Sequence, residues 1–141
     1  MSWNKIISDK SMKIVFEYEI SEGRTPKEVH KNGVGYDILS EDHLDKRYIE
    51  VKATSELWST YTWIPLYHNE VKALNKYPEK FYLYVVKFEI DRDNRNEESL
   101  NSAKYEIYAI GGQNLLKEFK IVPETYSLSP ISKSRLAAYK K

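Results

Sequence analysis

Residues 34–54 read VGYDILSEDHLDKRYIEVKAT and contain two segments in which apolar and polar residues alternate. Alternation with a period of two is typical of strands, so we predict strands over residues 34–40 and 47–54. The spacer over residues 41–46 is polar except for Leu44, as expected of a hairpin loop. The sequence therefore predicts a hairpin in the first half of the chain.

Two acids and a lysine fall at related positions in this hairpin. Glu50 and Lys52 are two residues apart, so they project from the same face of their strand while the apolar residues between and beside them face the core. Asp37 precedes Glu50 by thirteen residues and lies on the paired strand. The hairpin is therefore expected to bring the two carboxylates side by side.

A divalent cation would relieve the repulsion between these carboxylates. Mg²⁺ suits oxygen ligands and retains several waters, and Mn²⁺ is expected to substitute for it. We expect Asp37 and Glu50 to bind the metal with help from the Val51 main-chain carbonyl. Lys52, next to the metal, would orient or deprotonate the attacking water and offset charge on a phosphate.

The Glu-x-Lys pair alone is a weak signal, because any exposed strand can carry a Glu and a Lys two residues apart. Gly35 adds to it, since a glycine beside Tyr36 and Asp37 indicates a bulge or a close backbone approach that aims a side chain. The aspartate, the spacing and the Glu-x-Lys together form the PD-(D/E)XK pattern.

The rest of the chain predicts a mixed helix and strand domain. Apolar residues at helical spacing predict a helix over residues 7–20, which Gly23 and Pro26 end. Further predicted elements are a strand over 61–66, a short helix from Tyr67 to about Tyr77, and strands over 81–90 and 105–110. The polar run 91–102 is predicted to be an exposed loop. This order predicts an α/β or α+β fold in one domain over residues 1–141.

Composition limits the classes of function. The chain has no cysteine, which excludes disulfides, thiolate zinc sites and cysteine nucleophiles. Its charge is nearly balanced, with 22 Lys and Arg against 21 Asp and Glu, but a local basic excess is sufficient for nucleic-acid binding. No apolar run approaches membrane-spanning length and no signal-peptide core is present, so we expect a cytoplasmic protein without a membrane partner.

Several motifs resemble the Mrr-like, restriction-endonuclease-like family typified by the C-terminal domain of the plant protein NO VEIN. The hairpin motifs GYDILS at 35–40 and YIEVKA at 48–53 are the most specific. The supporting blocks are MKIVFEYE at 12–19, GRTP at 23–26, Asn69-Glu70, YLYVV at 82–86 and the strand over 105–110. The resemblance implies a mixed central sheet flanked by helices, with an α-β-β-β-α-β core and an additional C-terminal strand.

The same resemblance implies a metal-dependent phosphodiesterase that acts on DNA. A role in restriction or genome defence follows by analogy. Because a chain of this length leaves little room for a sequence-reading module, the target is expected to be supplied by other means. A homodimer and a helicase or methylase partner are the open alternatives. The second hypothesis for function is a catalytically inactive module that keeps the nuclease fold and binds nucleic acid or protein.

Glu19 is the candidate for the helical acid that such nucleases often place near the metal. It falls inside the apolar arc of the first predicted helix, whereas Glu17 lies beside Lys10 and Lys13. We therefore add Glu19 to Asp37, Glu50 and Lys52 as a catalytic candidate. The alternative is that Glu19 is a rim residue paired with an Arg or Lys.

Three further residues carry open alternatives. Glu70 either points towards the sheet or is an ordinary first-turn acid favoured by the helix dipole. The resembling family often has Thr or Ser before this helix, so Tyr67 leaves the helix cap in doubt. Trp58 and Tyr61 follow the Glu-x-Lys strand in a polar segment and are candidates for base stacking.

Overall fold

The structure is a computed structural model that describes residues 2–29, 33–55, 64–121, 127–130 and 133–141. Its helices are α1 (Trp3–Ser21), α2 (His68–Lys76), α3 (Glu97–Ser102) and α4 (Gly112–Glu118). Its strands are β1 (Thr25–Glu28), β2 (Ile38–Glu41), β3 (Lys46–Thr54), β4 (Ile64–Pro65), β5 (Phe81–Phe88), β6 (Tyr105–Gly111), β7 (Phe119–Ile121) and β8 (Ser127–Pro130). Short 3-10 segments occupy Arg92–Asn94 and Lys133–Tyr139.

The central sheet has the strand order β1-β2-β3-β5-β6. β2 and β3 form the predicted antiparallel hairpin, with Ile38 opposite Ile49. β5 then pairs with β3 in parallel and with β6 in antiparallel fashion, and α2 lies in the connection between β3 and β5. A parallel pair needs such a crossover connection. The mixed sheet flanked by helices confirms the predicted fold class.

Apolar residues cover both faces of this sheet. On one face, α1 packs through Ile14 and Val15 onto a cluster that includes Ile49 and Tyr84. On the other face, α2 contributes Leu74 to a second cluster. The full set of β5 residues in this second cluster is Phe81, Leu83 and Val85. Glu50 and Lys52 are in register with Leu83 and Val85, so both side chains lie on the α2 face.

A second, three-stranded sheet in the order β4-β8-β7 extends the α2 side. Its residues Ile64, Leu128 and Phe119 belong to the same apolar cluster as Leu83. The sequence predicted a strand over 61–66, of which Ile64–Pro65 is observed as β4 and residues 61–63 lie outside the described residues. The strands β7 and β8 were not predicted.

Three local differences from the predictions have physical reasons. β1 contains Pro26, which a sheet tolerates because β1 is an edge strand of the five-stranded sheet. Residues 34–37 are not in a strand, since Gly33 and Gly35 adopt positive φ angles of 66° and 89°. The expectation that 91–102 is an exposed loop is wrong in its second half, where α3 forms and buries Leu100.

Helix α1 begins earlier than the predicted residue 7, because Ser2 caps it by accepting a hydrogen bond from the Lys5 main-chain N–H at 3.3 Å. It is the longest helix described, and it carries charged residues along its length. Among the described helices, none combines the length and apolar character needed to cross a membrane.

Candidate active site

Asp37 directly precedes β2, next to the first pair that β2 forms with β3. Its main-chain N–H donates to the Ile49 carbonyl at 2.8 Å, and its Oδ2 accepts a hydrogen bond from the Val51 N–H at 2.9 Å. The pairing of β2 with β3 ends at the Ile38–Ile49 pair. Beyond it, the Val51 N–H of β3 is bound by the Asp37 side chain and not by a main-chain carbonyl of β2. In a strand the N–H and C=O of one residue point to the same edge, so the Val51 carbonyl is directed to the Asp37 side.

Glu50 lies beside Asp37 and is buried, with 3% of its surface exposed. Its Oε2 has no hydrogen-bond partner among the described residues. Burial raises the pKa of Glu50 well above its ordinary value, and the charge of Asp37 and a hydrogen bond with Asp37 raise it further. Glu70 adds to this rise and Lys52 opposes it. The structure therefore brings Asp37 and Glu50 together at a place that disfavours two bare negative charges.

Lys52 joins this group through the first turn of α2. Its Nζ lies 2.8 Å from Glu70 Oε1 and 4.8 Å from the centre of the Tyr67 ring. Lys52 and Glu70 are both largely buried, with 15% and 13% of their side chains exposed. The amine is thus fixed on the same face of β3 as the Glu50 carboxyl.

Glu70 fulfils both alternatives that the sequence left open. As a first-turn acid of α2, its Oε1 accepts a hydrogen bond from the Tyr67 main-chain N–H at 3.1 Å. The same oxygen faces the sheet and binds Lys52. Helix capping here comes from Glu70, whose side chain accepts the hydrogen bond of the N-cap residue Tyr67. The signal in the sequence was the position of Glu70 four residues before Leu74, on the packed side of the helix.

Gly35 sets the distance between the Asp37 loop and α2. A Cβ atom at this position would collide with the main-chain carbonyl of Asn69 and press on Ala73. The positive φ of 89° also favours glycine over any other residue. The loop that carries Asp37 can therefore pack directly onto the first turn of α2, the turn that carries Glu70.

Glu19 lies elsewhere. It is fully buried on the α1 face of the sheet, where it forms a bidentate pair with Arg24 at 2.6 and 2.8 Å. The Tyr84 hydroxyl donates to Glu19 Oε2 at 2.8 Å, and Arg47 Nη1 donates to that hydroxyl at 2.9 Å. The structure does not bring Glu19 to Asp37 and Glu50. The alternative of an Arg-paired acid describes its placement, although in the core and not at a rim.

Asp37 and Glu50 offer a fitting place for a divalent cation. Two adjacent carboxylates, one with a buried oxygen that has no partner among the residues the structure describes, would be stabilised by a bound cation. Across the described ranges, no group of three or more His, Cys, Asp and Glu side chains could hold a metal. A cation here would thus take two carboxylates and the Val51 carbonyl and complete its shell with water, which suits Mg²⁺. Trp58 and Tyr61 lie outside the described residues.

Comparisons with known proteins agree with this arrangement of elements. Residues 7–101, well over half of the chain, match the sequence model of the family described as "Protein NO VEIN, C-terminal". This match confirms the resemblance that the hairpin motifs predicted. No curated protein sequence matches the chain.

Solved structures with a similar fold include that of a Holliday junction resolvase. Hjc from the archaeal hyperthermophile Archaeoglobus fulgidus, a Holliday junction resolvase, matches with a TM-score of 0.55 and 16% sequence identity. The match covers 92% of this chain and 87% of Hjc. At this identity the likeness concerns the fold, and it identifies the fold as restriction-endonuclease-like.

Proposed function

Because the chain belongs to the NO VEIN C-terminal family and has a resolvase-like nuclease fold, we propose that it is a metal-dependent endonuclease that hydrolyses phosphodiester bonds in DNA. DNA is the polymer on which Hjc, described as a Holliday junction resolvase, acts. Restriction or genome defence is the process that such an activity would serve in this proposal.

The observation that carries the proposal is the Glu50 carboxyl. A buried acid beside a second acid, with one oxygen lacking any partner among the described residues, is an arrangement that costs stability in the absence of a ligand. A buried acid such as Glu50 is expected at a position where the residue is needed to bind a cation and not for stability alone. Mg²⁺ is the proposed cofactor and Mn²⁺ the proposed substitute.

Each residue has a distinct part in the proposal. Asp37 and Glu50 bind the cation with the Val51 carbonyl, and the cation when bound would polarise the phosphodiester and assist ionisation of the attacking water. Lys52 contributes a fixed positive charge beside the phosphate and positions the water. Glu70 holds the Lys52 amine in the site before substrate binds.

Nicking of supercoiled plasmid tests the proposal. The wild type is expected to nick in Mg²⁺ or Mn²⁺ and to lose this activity in a chelator. Lys52→Ala is expected to lower the rate by about 100-fold or more, because it removes a preorganised charge at the phosphate. The matched control is Lys46→Ala, which removes an exposed lysine at the start of the same strand and should leave the rate unchanged.

The alternative function, a binding module without cutting activity, makes a different prediction for the same assay. Wild type and Lys52→Ala would both bind DNA and neither would nick it in either metal, and this outcome would overturn the nuclease proposal. A homodimer and a helicase or methylase partner stay predictions, and sedimentation of the wild type with and without DNA checks the first of them.

A further inference from the structure

Tyr67 places an exposed aromatic ring beside the candidate site. It precedes α2, and 67% of its surface is exposed. Lys52 Nζ lies over the ring at 4.8 Å from its centre, a distance at which the ammonium group and the ring attract each other. The ring is therefore next to the amine that the proposed function places at the phosphate.

The position of the ring is fixed through the helix cap. The Tyr67 main-chain N–H donates to Glu70 Oε1 at 3.1 Å, and the same oxygen binds Lys52 Nζ at 2.8 Å. The Glu70 carboxylate thus binds both the Tyr67 main chain and the Lys52 amine that lies over the Tyr67 ring. A ring held by its backbone and by one cationic contact presents a defined surface to a ligand.

The fold gains little from the exposure of this ring. Other tyrosines near the site are packed against each other, with Tyr36 stacked on Tyr48 at 4.7 Å and Tyr48 edge-on to Tyr77 at 5.0 Å. Tyr67 instead leaves two thirds of its surface open to solvent. An exposed aromatic ring beside a basic group is the combination that recognises nucleic-acid bases, with the ring taking the base and the cation the phosphate.

We propose that Tyr67 is a stacking surface for an unpaired nucleobase next to the phosphodiester that Lys52 contacts. The inference rests on the proposed function, and it adds the class of substrate: DNA with an unpaired nucleotide at the site of cutting. A base inside a duplex is already stacked on both faces, whereas an unpaired base has a free face. Because Lys52 lies beside the ring, a phosphate at this amine places its own base within reach of Tyr67.

Binding and base fluorescence, both measured without cutting, test this inference. Oligonucleotides carrying one 2-aminopurine, either unpaired in a bulge or paired in an otherwise identical duplex, would be titrated with protein in Ca²⁺. The wild type is expected to bind the bulged form at least about tenfold more tightly than the paired form and to quench the unpaired 2-aminopurine.

Two variants of Tyr67 separate stacking on an aromatic ring from the effect of having an apolar side chain at this position. Tyr67→Phe keeps the ring and should retain the preference, whereas Tyr67→Leu keeps an apolar side chain without a π face and should lose the preference and the quenching. The control is Tyr105→Leu, which removes another exposed aromatic, at the start of β6, and should change neither. Equal binding of the two forms by the wild type, or an unchanged preference in Tyr67→Leu, would overturn the inference.

The binding and fluorescence measurements do not require cutting, so the stacking surface and the nuclease proposal can fail separately. If the wild type quenches unpaired 2-aminopurine but does not nick plasmid, the stacking surface is supported and the nuclease proposal fails. If it nicks plasmid and Tyr67→Leu keeps the preference for the bulge, the nuclease proposal is supported and the stacking surface fails.

Discussion

Glu19 and Glu50 are both buried and lie on opposite faces of the central sheet, and their carboxylates differ in how fully they are hydrogen-bonded. Both oxygens of Glu19 accept hydrogen bonds from Arg24, and Tyr84 adds another. Glu50 Oε2 has no partner among the described residues. The first acid is satisfied by the protein itself, so it serves stability. The second keeps one oxygen without a partner in the described part of the chain, and the proposed cation would bind there.

Replacing Glu50 by Gln should separate metal binding from folding. The variant removes a carboxyl group buried beside Asp37, so its free energy of unfolding without divalent ions should equal or exceed that of the wild type. The rise in melting temperature that Mg²⁺ or Mn²⁺ gives the wild type should be absent, because the ligand set is incomplete. Thermal unfolding with and without each metal measures both effects. Glu41→Gln, at an exposed acid of β2, is the control and should keep the metal-dependent rise; the same rise in Glu50→Gln would contradict the metal site.

Glu19 should give the fold an acid-dependent stability. Burial alone would raise the pKa of Glu19, but the hydrogen bonds from Arg24 and Tyr84 outweigh it and hold the pKa below the ordinary value of 4.5. A group whose pKa is lower in the folded state stabilises the fold fully above its unfolded pKa and loses this contribution as the pH falls through the folded pKa. The stabilisation by Glu19 is therefore complete above about pH 4.5 and is lost on further acidification.

The variant Glu19→Gln tests this dependence. At neutral pH it should unfold more easily by about 3 kcal/mol, because Arg24 loses its buried partner. The difference from wild type should shrink as the pH falls below about 4.5, because the unfolded wild type takes up a proton at Glu19 there while the folded carboxylate stays charged until a lower pH. Urea unfolding over this pH range measures both quantities. Glu17→Gln, an exposed acid of the same helix, should differ little from wild type at any pH; a constant difference for Glu19→Gln would contradict the prediction.

Gly35 and Gly33 form a matched pair for testing the contact between the Asp37 loop and α2. Both have positive φ, so alanine at either position should cost about 1 kcal/mol from backbone strain. At Gly33 a Cβ meets no described atom within 4 Å, whereas at Gly35 it overlaps the Asn69 carbonyl. Gly35→Ala should therefore lose clearly more unfolding free energy than Gly33→Ala in urea titrations. It should also weaken metal binding, since α2 and Asp37 must move apart; equal losses in the two variants would contradict this close approach.

Lys72 and Lys76 are expected to contact the DNA backbone. Both are exposed on α2 and, with Asn69, line a cavity of about 320 Å³ beside the Gly33 to Tyr36 loop. Each lost phosphate contact lowers the steepness of the salt dependence of binding by about one unit. The double alanine variant should therefore bind paired and bulged DNA more weakly to the same degree and reduce the slope by about two.

Fluorescence anisotropy at several salt concentrations measures this slope. The control is the double alanine variant of Lys10 and Lys13, which removes two positive charges from α1 on the other face of the sheet. It should leave the slope nearly unchanged. An equal effect of both double variants would show that total charge, and not the α2 surface, determines binding.

The hairpin and its acids could be predicted because their signals are local. Alternation in residues 47–54 identifies the shared face of Glu50 and Lys52, and the short loop to β2 fixes which residues can be neighbours. The contact between Lys52 and Glu70 could only be suggested, since it depends on how the crossover from β3 to β5 places α2. Helical spacing predicted that Glu19 is packed, but it carries no information on which face of the sheet covers it.

The remaining elements escaped prediction for different reasons. β7 and β8 have three and four residues, too few for a period of two to be recognised. β1 contains Pro26, which is typical of a break and is tolerated here only because of the position of β1 at the edge. α3 lies in a polar run, and its single buried residue, Leu100, gives no periodicity.

Pro26 also bears on how two copies of this chain could assemble. β1 presents a short outer strand in which one residue has no N–H to donate, a feature that opposes edge-to-edge pairing between sheets. At the opposite edge, β6 is partly covered by Lys140 and Lys141, through a bridge between Tyr108 and Lys140 and a hydrogen bond from the Lys141 N–H to the Ile107 carbonyl. Continuous extension of the five-stranded sheet is thus obstructed on both sides, so two copies would not assemble by pairing these edges.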